Sequence, residues 1–268
     1  MTKTSKESKK PEKKIPKQTA KKNPKNKPEK RTFPYIFLRI LLYSGWATFI
    51  IVALQFLVFL IFTKIFGNFS DNPLIFAFYS LIYYSLSVLV IIFLPKKILK
   101  KQTASREDLG LKDLPTFSDI GLSPVAFIIY LIFATILTAL FSLFPWFNAN
   151  EAQNLGLNTY MNSTEMIFTF FSVAIIAPIA EEIIFRGWLY DKLRKLFPGK
   201  LSIVFSILIV SAIFGLIHDQ FNVAVNVFAM SVVCCLLREI TGTIYSGILL
   251  HILKNTIAFL LVYVYHIL

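Results

Sequence analysis

The chain has 268 residues, 56% of them hydrophobic, and a mean hydropathy of +0.64, too apolar for an ordinary soluble domain of this size. The formal net charge of +13 belongs to one end: residues 1–31 carry 13 Lys/Arg against 3 Glu and leave only +3 for the rest. That excludes a nucleic-acid-binding fold, and the continuous, non-alternating apolar runs exclude a transmembrane β-barrel.

Residues 1–34 read as a disordered, Lys-rich cytoplasmic tail, because they hold almost nothing that could form a core. Its charge suits attraction to anionic lipid headgroups, worth about 1 kcal/mol per basic residue near the surface. It has no aromatic interleaving that would suit RNA. The basic region and first apolar run are both too long for a cleavable signal peptide. Residues 35–268 are expected to form one all-α, polytopic transmembrane helix bundle.

Spans of roughly the 20 residues needed to cross a bilayer are predicted at 38–63, 74–94, 124–145, 165–190, 201–218, 222–238 and 243–264. The intervening loops test the count of about seven. Segment 95–123 carries Lys96, Lys97, Lys100, Lys101, Arg106 and Lys112, and 191–200 carries Lys192, Arg194, Lys195 and Lys200. By contrast, 146–164 has no Lys or Arg and 64–73 only Lys64. This alternation predicts a multi-pass integral membrane protein (in the cell membrane, for a bacterial source) with a cytoplasmic N-terminus. The 95–123 loop is too short of apolar length to span and is expected to lie along the membrane surface.

The fourth span contains Ala180-Glu181-Glu182-Ile183-Ile184-Phe185-Arg186. A charge near the bilayer centre costs about 2.5–3.5 kcal/mol even on the lenient insertion scale, so such residues usually face a cavity or a site. Glu182 and Arg186 are four apart and can pair along one helix face, whereas Glu181 is turned about 100° away and left without that partner. Hence Glu182–Arg186 read as support and Glu181 as the working carboxylate. Phe214 and His218 share the same spacing, as do His251 and Asn255. Water between Glu181 and His218, opposite a carbonyl held by His251 and Asn255, would complete a peptide-hydrolysis set. Each of these groups also has a bland alternative as interhelical hydrogen-bonding glue, which explains Glu181 least well. Cys234 and Cys235 are adjacent in an apolar run and read as packing residues. His266 reads as interfacial, and Lys254 as pointing to another face from His251, with no assigned role.

At these residues the chain resembles the CAAX-protease and bacteriocin-processing family of intramembrane endopeptidases. Its three motifs occur in order: Glu181-Glu182-Ile-Ile-Phe-Arg186, Phe214-Gly-Leu-Ile-His218 and His251-Ile-Leu-Lys-Asn255. The resemblance covers about 165–260. It implies hydrolysis near the C-terminus of a lipidated or membrane-associated peptide. Water would be activated by Glu181 and His218 and the oxyanion stabilised by His251 and Asn255, with Glu182, Arg186 and Phe214 in support. Zinc is the candidate cofactor, with Glu181, His218 and His251 as candidate ligands. The absence of a His-Glu-x-x-His helix favours glutamate-activated water without a tightly bound metal. The second reading is a membrane immunity or scaffold protein that binds a peptide without cleaving it, as in bacteriocin self-protection. A proton-coupled transporter comes third, since no pair of broken-helix repeats is visible.

Overall fold

Helices account for every regular element among the described residues, which in this computed structural model are 32–99, 104–151, 162–197, 199–218 and 220–265. The Lys-rich tail with its expected lipid contact, Lys100, Lys101 and His266 lie outside the described residues. Six helices are long and apolar enough to cross a membrane. They are α1 (Phe33–Phe66), α2 (Pro73–Pro95, its helix continuing to Leu99), α3 (Phe117–Phe141), α4 (Ser163–Arg194), α6 (Phe221–Thr241) and α7 (Tyr245–Val264). The seventh expected span is α5 (Leu201–Leu216), whose 16 residues make about 24 Å of helix, shorter than a full hydrocarbon core.

Local signals set the ends. Pro34 sits in the first turn of α1, where its missing N–H costs nothing, and Gly67 closes that helix at φ 69°. Helix α3 begins seven residues before the expected 124, because Thr116 and Asp119 form a reciprocal capping box. Gly242, at φ 73°, terminates α6 in the left-handed conformation.

Contacts sort the helix ends into two groups. At one end, the turn at 104–111 packs under the bundle. Arg238 Nη2 donates to the Asp108 carbonyl (2.6 Å), Ile244 N donates to the Gly110 carbonyl (3.1 Å), and Lys195 pairs with Asp108 (2.6 Å). Leu109 is buried there. The segment is therefore a plug against α4, α6 and α7, not the surface-lying stretch expected from its composition, because its own backbone carbonyls find donors on those helices. Gly110 is required: its φ is 69°, and a Cβ would collide with the Arg238 guanidinium. At the other end, Phe141, Trp146 and Phe147 pack around Phe221, and Asn222 Nδ2 donates to the Glu151 carbonyl (2.6 Å). Successive helices thus run in alternating directions, and the basic loops share one end.

The main core joins α4, α5 and α6 through Phe185, Leu189, Phe214 and Met230, while α1 and α2 add a smaller aromatic cluster of Phe62, Phe69, Tyr79 and Tyr83. Outward faces carry many exposed large apolar side chains, Phe49, Phe56, Leu89 and Ile132 among them. In water these would aggregate; in a bilayer they are the lipid-facing surface.

Candidate active site

Helix α4 carries the charged motif and is not a regular α-helix. It contains two wider π-helical stretches, Phe171–Ile176 and Ile183–Leu189, on either side of Ala177–Glu182. The first has a local cause. Ala177 N–H reaches five residues back to the Ser172 carbonyl. In that register the next amide would serve the Val173 carbonyl, but residue 178 is proline and has no N–H. The amide of Asn255 on α7 fills the vacancy, donating to the Val173 carbonyl at 2.9 Å. Such π segments often occur at functional sites.

Glu181 and Glu182 emerge between the two stretches, about 20 Å along the helix from its basic end. Glu182 and Arg186 are both 0% exposed, with Arg186 Nη1 2.9 Å from Glu182 Oε1. The guanidinium lies over the Phe214 ring at 4.4 Å, a cation–π contact. Gly247 on α7 makes room for the carboxylate: a Cβ there would sit 3.2 Å from Glu182 Oε2. The same Glu182 Oε1 accepts from His251 Nδ1 at 3.1 Å, which turns the other ring nitrogen, Nε2, towards Glu181 Oε2 at 3.8 Å. Glu182 therefore orients His251 as well as neutralising Arg186.

Glu181 has a side chain 20% exposed, and it lines a cavity of about 160 Å³ together with His218, Tyr83, Tyr84, Gln55 and Thr48. Its Oε1 accepts from the Tyr84 hydroxyl at 3.1 Å. The expectation that Glu181 stands without a partner is thus corrected: α2 supplies one from 97 residues away. His218 ends the α5 segment with Nδ1 2.8 Å from the Phe214 carbonyl. A carbonyl only accepts, so Nδ1 carries a proton, and in the neutral ring Nε2 is the acceptor. Phe214 meets both histidines edge-on, with ring centroids at 5.3 and 5.9 Å.

The structure thus brings Glu181 and His218 into one cavity and sets His251 against both glutamates. It does not gather Asn255 to the same point, since one of its amide N–H groups is given to Val173. Lys254, three residues after His251 on α7, is half-buried. Tyr84 went unnoticed in the sequence; its only signal there is a phenolic pair, Tyr83-Tyr84, in an apolar span. Cys234 and Cys235 are free and buried, in keeping with packing roles. Among the described residues no three of His, Cys, Asp and Glu are grouped so as to hold a metal ion. The candidate zinc ligands Glu181, His218 and His251 do not form a ligand set as placed.

Residues 163–257 match the family model described as type II CAAX prenyl endopeptidase Rce1-like. Comparisons with curated proteins and with solved structures gave no match. The matched segment contains all three motifs and the helices that carry them, and the whole chain supplies apolar helices enough for an integral, multi-pass membrane protein. Over these 95 of its 268 residues the chain is thus similar to the type II CAAX prenyl endopeptidases.

Proposed function

We propose that the protein hydrolyses a peptide bond near the C-terminus of a lipidated or membrane-associated peptide, with the N-terminus and the basic end of the bundle in the cytoplasm. The observation that carries this reading is the shared cavity of Glu181 and His218, within the segment that matches the family. Glu181 Oε2 takes a proton from water while His218 Nε2 accepts the water's other hydrogen, and the water oxygen adds to the scissile carbonyl. With its Nδ1–H held by Glu182, His251 donates from Nε2 to the developing oxyanion, and the second N–H of Asn255 is available for the same task. The C–N bond then breaks as the proton held by Glu181 passes to the leaving amine. Tyr84 fixes Glu181 through Oε1 and so leaves Oε2 as the working oxygen. The orientation follows from the basic loops collecting at one end. No step passes through a metal.

The test is purified full-length protein in liposomes with a peptide bearing a farnesylated cysteine fourth from its C-terminus, and the same peptide without the lipid. Mass spectrometry should show release of the C-terminal tripeptide from the farnesylated form in preference to the bare one. A farnesylated peptide left intact by folded protein would contradict the reading.

A further inference from the structure

Helices α1 and α2, which lie outside the matched residues 163–257, supply part of the cavity wall around Glu181 and His218. Two tyrosines of α2 stand in that wall. The Tyr84 hydroxyl is given to Glu181, but among the described residues the Tyr83 hydroxyl has no hydrogen-bond partner. Tyr83 is only 5% exposed, and a hydroxyl held away from water without a partner is costly. Yet its oxygen is not sealed in, as are the equally unpaired hydroxyls of Ser206, Ser211 and Ser231 in the bundle interior. The small surface left to Tyr83 opens on the cavity.

The phenol is also fixed in place. Its ring stacks on Tyr79 with centroids 6.0 Å apart and lies against Tyr84 at 4.5 Å. Tyr79 is held in turn by Phe62 and Phe69 and by the bond from its hydroxyl to the Gln55 carbonyl (3.4 Å). Ser87 Oγ donates to the Tyr83 carbonyl at 2.9 Å. A donor locked in advance by its neighbours loses little freedom when a ligand arrives.

What the hydroxyl fits is an acceptor, and a phenol O–H is a donor that suits a carbonyl. A peptide drawn into a membrane site brings a carbonyl with every residue, and away from water each needs a donor on the protein. In the reaction above the scissile carbonyl takes its hydrogen bonds from His251 and Asn255, and His251 Nε2 faces Glu181 Oε2. Tyr83 packs instead on Tyr84, which holds Oε1. The carbonyl it meets therefore belongs to a flanking peptide unit, whose bond is made alike in the ground state and the transition state.

We propose that the Tyr83 hydroxyl donates a hydrogen bond to a main-chain carbonyl of the substrate beside the scissile bond. This rests on the peptidase reading above and deepens it: α2 grips the peptide main chain as well as holding Glu181.

The experiment compares wild-type protein and Tyr83→Phe in liposomes on the farnesylated peptide, and on versions in which each peptide bond next to the scissile one is a thioamide, whose sulfur accepts more weakly. Tyr83→Phe should melt no lower than wild type, because its hydroxyl has no partner to lose. It should raise KM about 2- to 10-fold, the worth of one neutral hydrogen bond, with kcat little changed. At one flanking position the thioamide should lower kcat/KM at least about threefold in wild type and cause no such loss in Tyr83→Phe, since the two changes remove the same bond. An unchanged KM in Tyr83→Phe, a lowered melting temperature, or equal thioamide effects in both proteins would overturn the assignment while leaving the peptidase reading standing. No cleavage of the unmodified peptide by folded wild type would overturn both.

Discussion

Removing Glu182 strands the Arg186 guanidinium at zero exposure, removing Arg186 leaves Glu182 with His251 alone, and a stranded buried charge typically costs about 3–5 kcal/mol. Glu182→Ala and Arg186→Ala should each lower folded yield as well as activity, measured by size-exclusion recovery in detergent. Joint replacement by Met and Leu should recover yield but not turnover, because His251 loses the carboxylate that orients it. Normal yields for both single variants would refute the supporting role. At Tyr84 the balance differs, since the phenol ring can stay while its hydroxyl goes. Tyr84→Phe removes one hydrogen bond to a carboxylate, worth about 1.5–3 kcal/mol. It should lower kcat roughly 10- to 100-fold with KM unchanged. A change in KM alone would show that the hydroxyl contacts substrate instead of fixing Glu181. The Glu182–Arg186 pairing was legible in the sequence because helix geometry fixes residues four apart. The Tyr84–Glu181 contact was not, because it depends on how α2 packs against α4, which no local spacing encodes.

At the scale of the element, α4 shows where sequence reasoning stops short. The charged motif and the span were readable, but the π register was not, although its cause, Pro178, stood in plain view. Pro178 withholds the amide that the Val173 carbonyl would use, and Asn255 supplies it from α7. Asn255→Ala should therefore lower the melting temperature by a few degrees, the effect of an acceptor left unmet at about 1 kcal/mol. Pro178→Ala in the same chain restores a backbone N–H facing Val173 and should return most of that loss. Thermal unfolding of the single and double variants checks this, and no recovery in the double variant would disprove the substitution of one donor for the other. Activity separates the two roles of Asn255: recovered stability without recovered turnover would assign its second N–H to the reaction. The early start of α3 is a contrasting case, since its signal, Thr116 followed three residues later by Asp119, was present in the sequence and simply lay outside the apolar run.

Across the whole molecule, the plug at 104–111 ties the basic end of the bundle together, chiefly through Asp108. The hydrogen bond from Lys195 holds the Asp108 carboxyl well below the usual carboxylate range. A carboxyl depressed in the folded state stabilises that state above its ordinary value of 3.8, and the stabilisation is lost as pH falls below it towards the folded value. Lowering the pH from 5 to 2.5 should therefore reduce the melting temperature of the wild type more than that of Asp108→Asn. Parallel loss in both would show that the plug does not depend on this pair. Hydropathy and loop charge were enough to read the bundle, its alternating passes and its polar motifs. The plug escaped because its anchors, Arg238 and Ile244, lie more than 120 residues away.

In the proposed reaction Glu181 activates the water that cuts the peptide. Its most direct test is single-turnover cleavage of the farnesylated peptide in liposomes by Glu181→Gln, a replacement of nearly the same shape that cannot take a proton. The Tyr84 hydroxyl can still donate to the amide oxygen, so folding should persist, with a melting temperature close to wild type. Cleavage should fall by about 10²–10⁴-fold or more, the span of a general base. Cleavage by folded Glu181→Gln at the wild-type rate would contradict it.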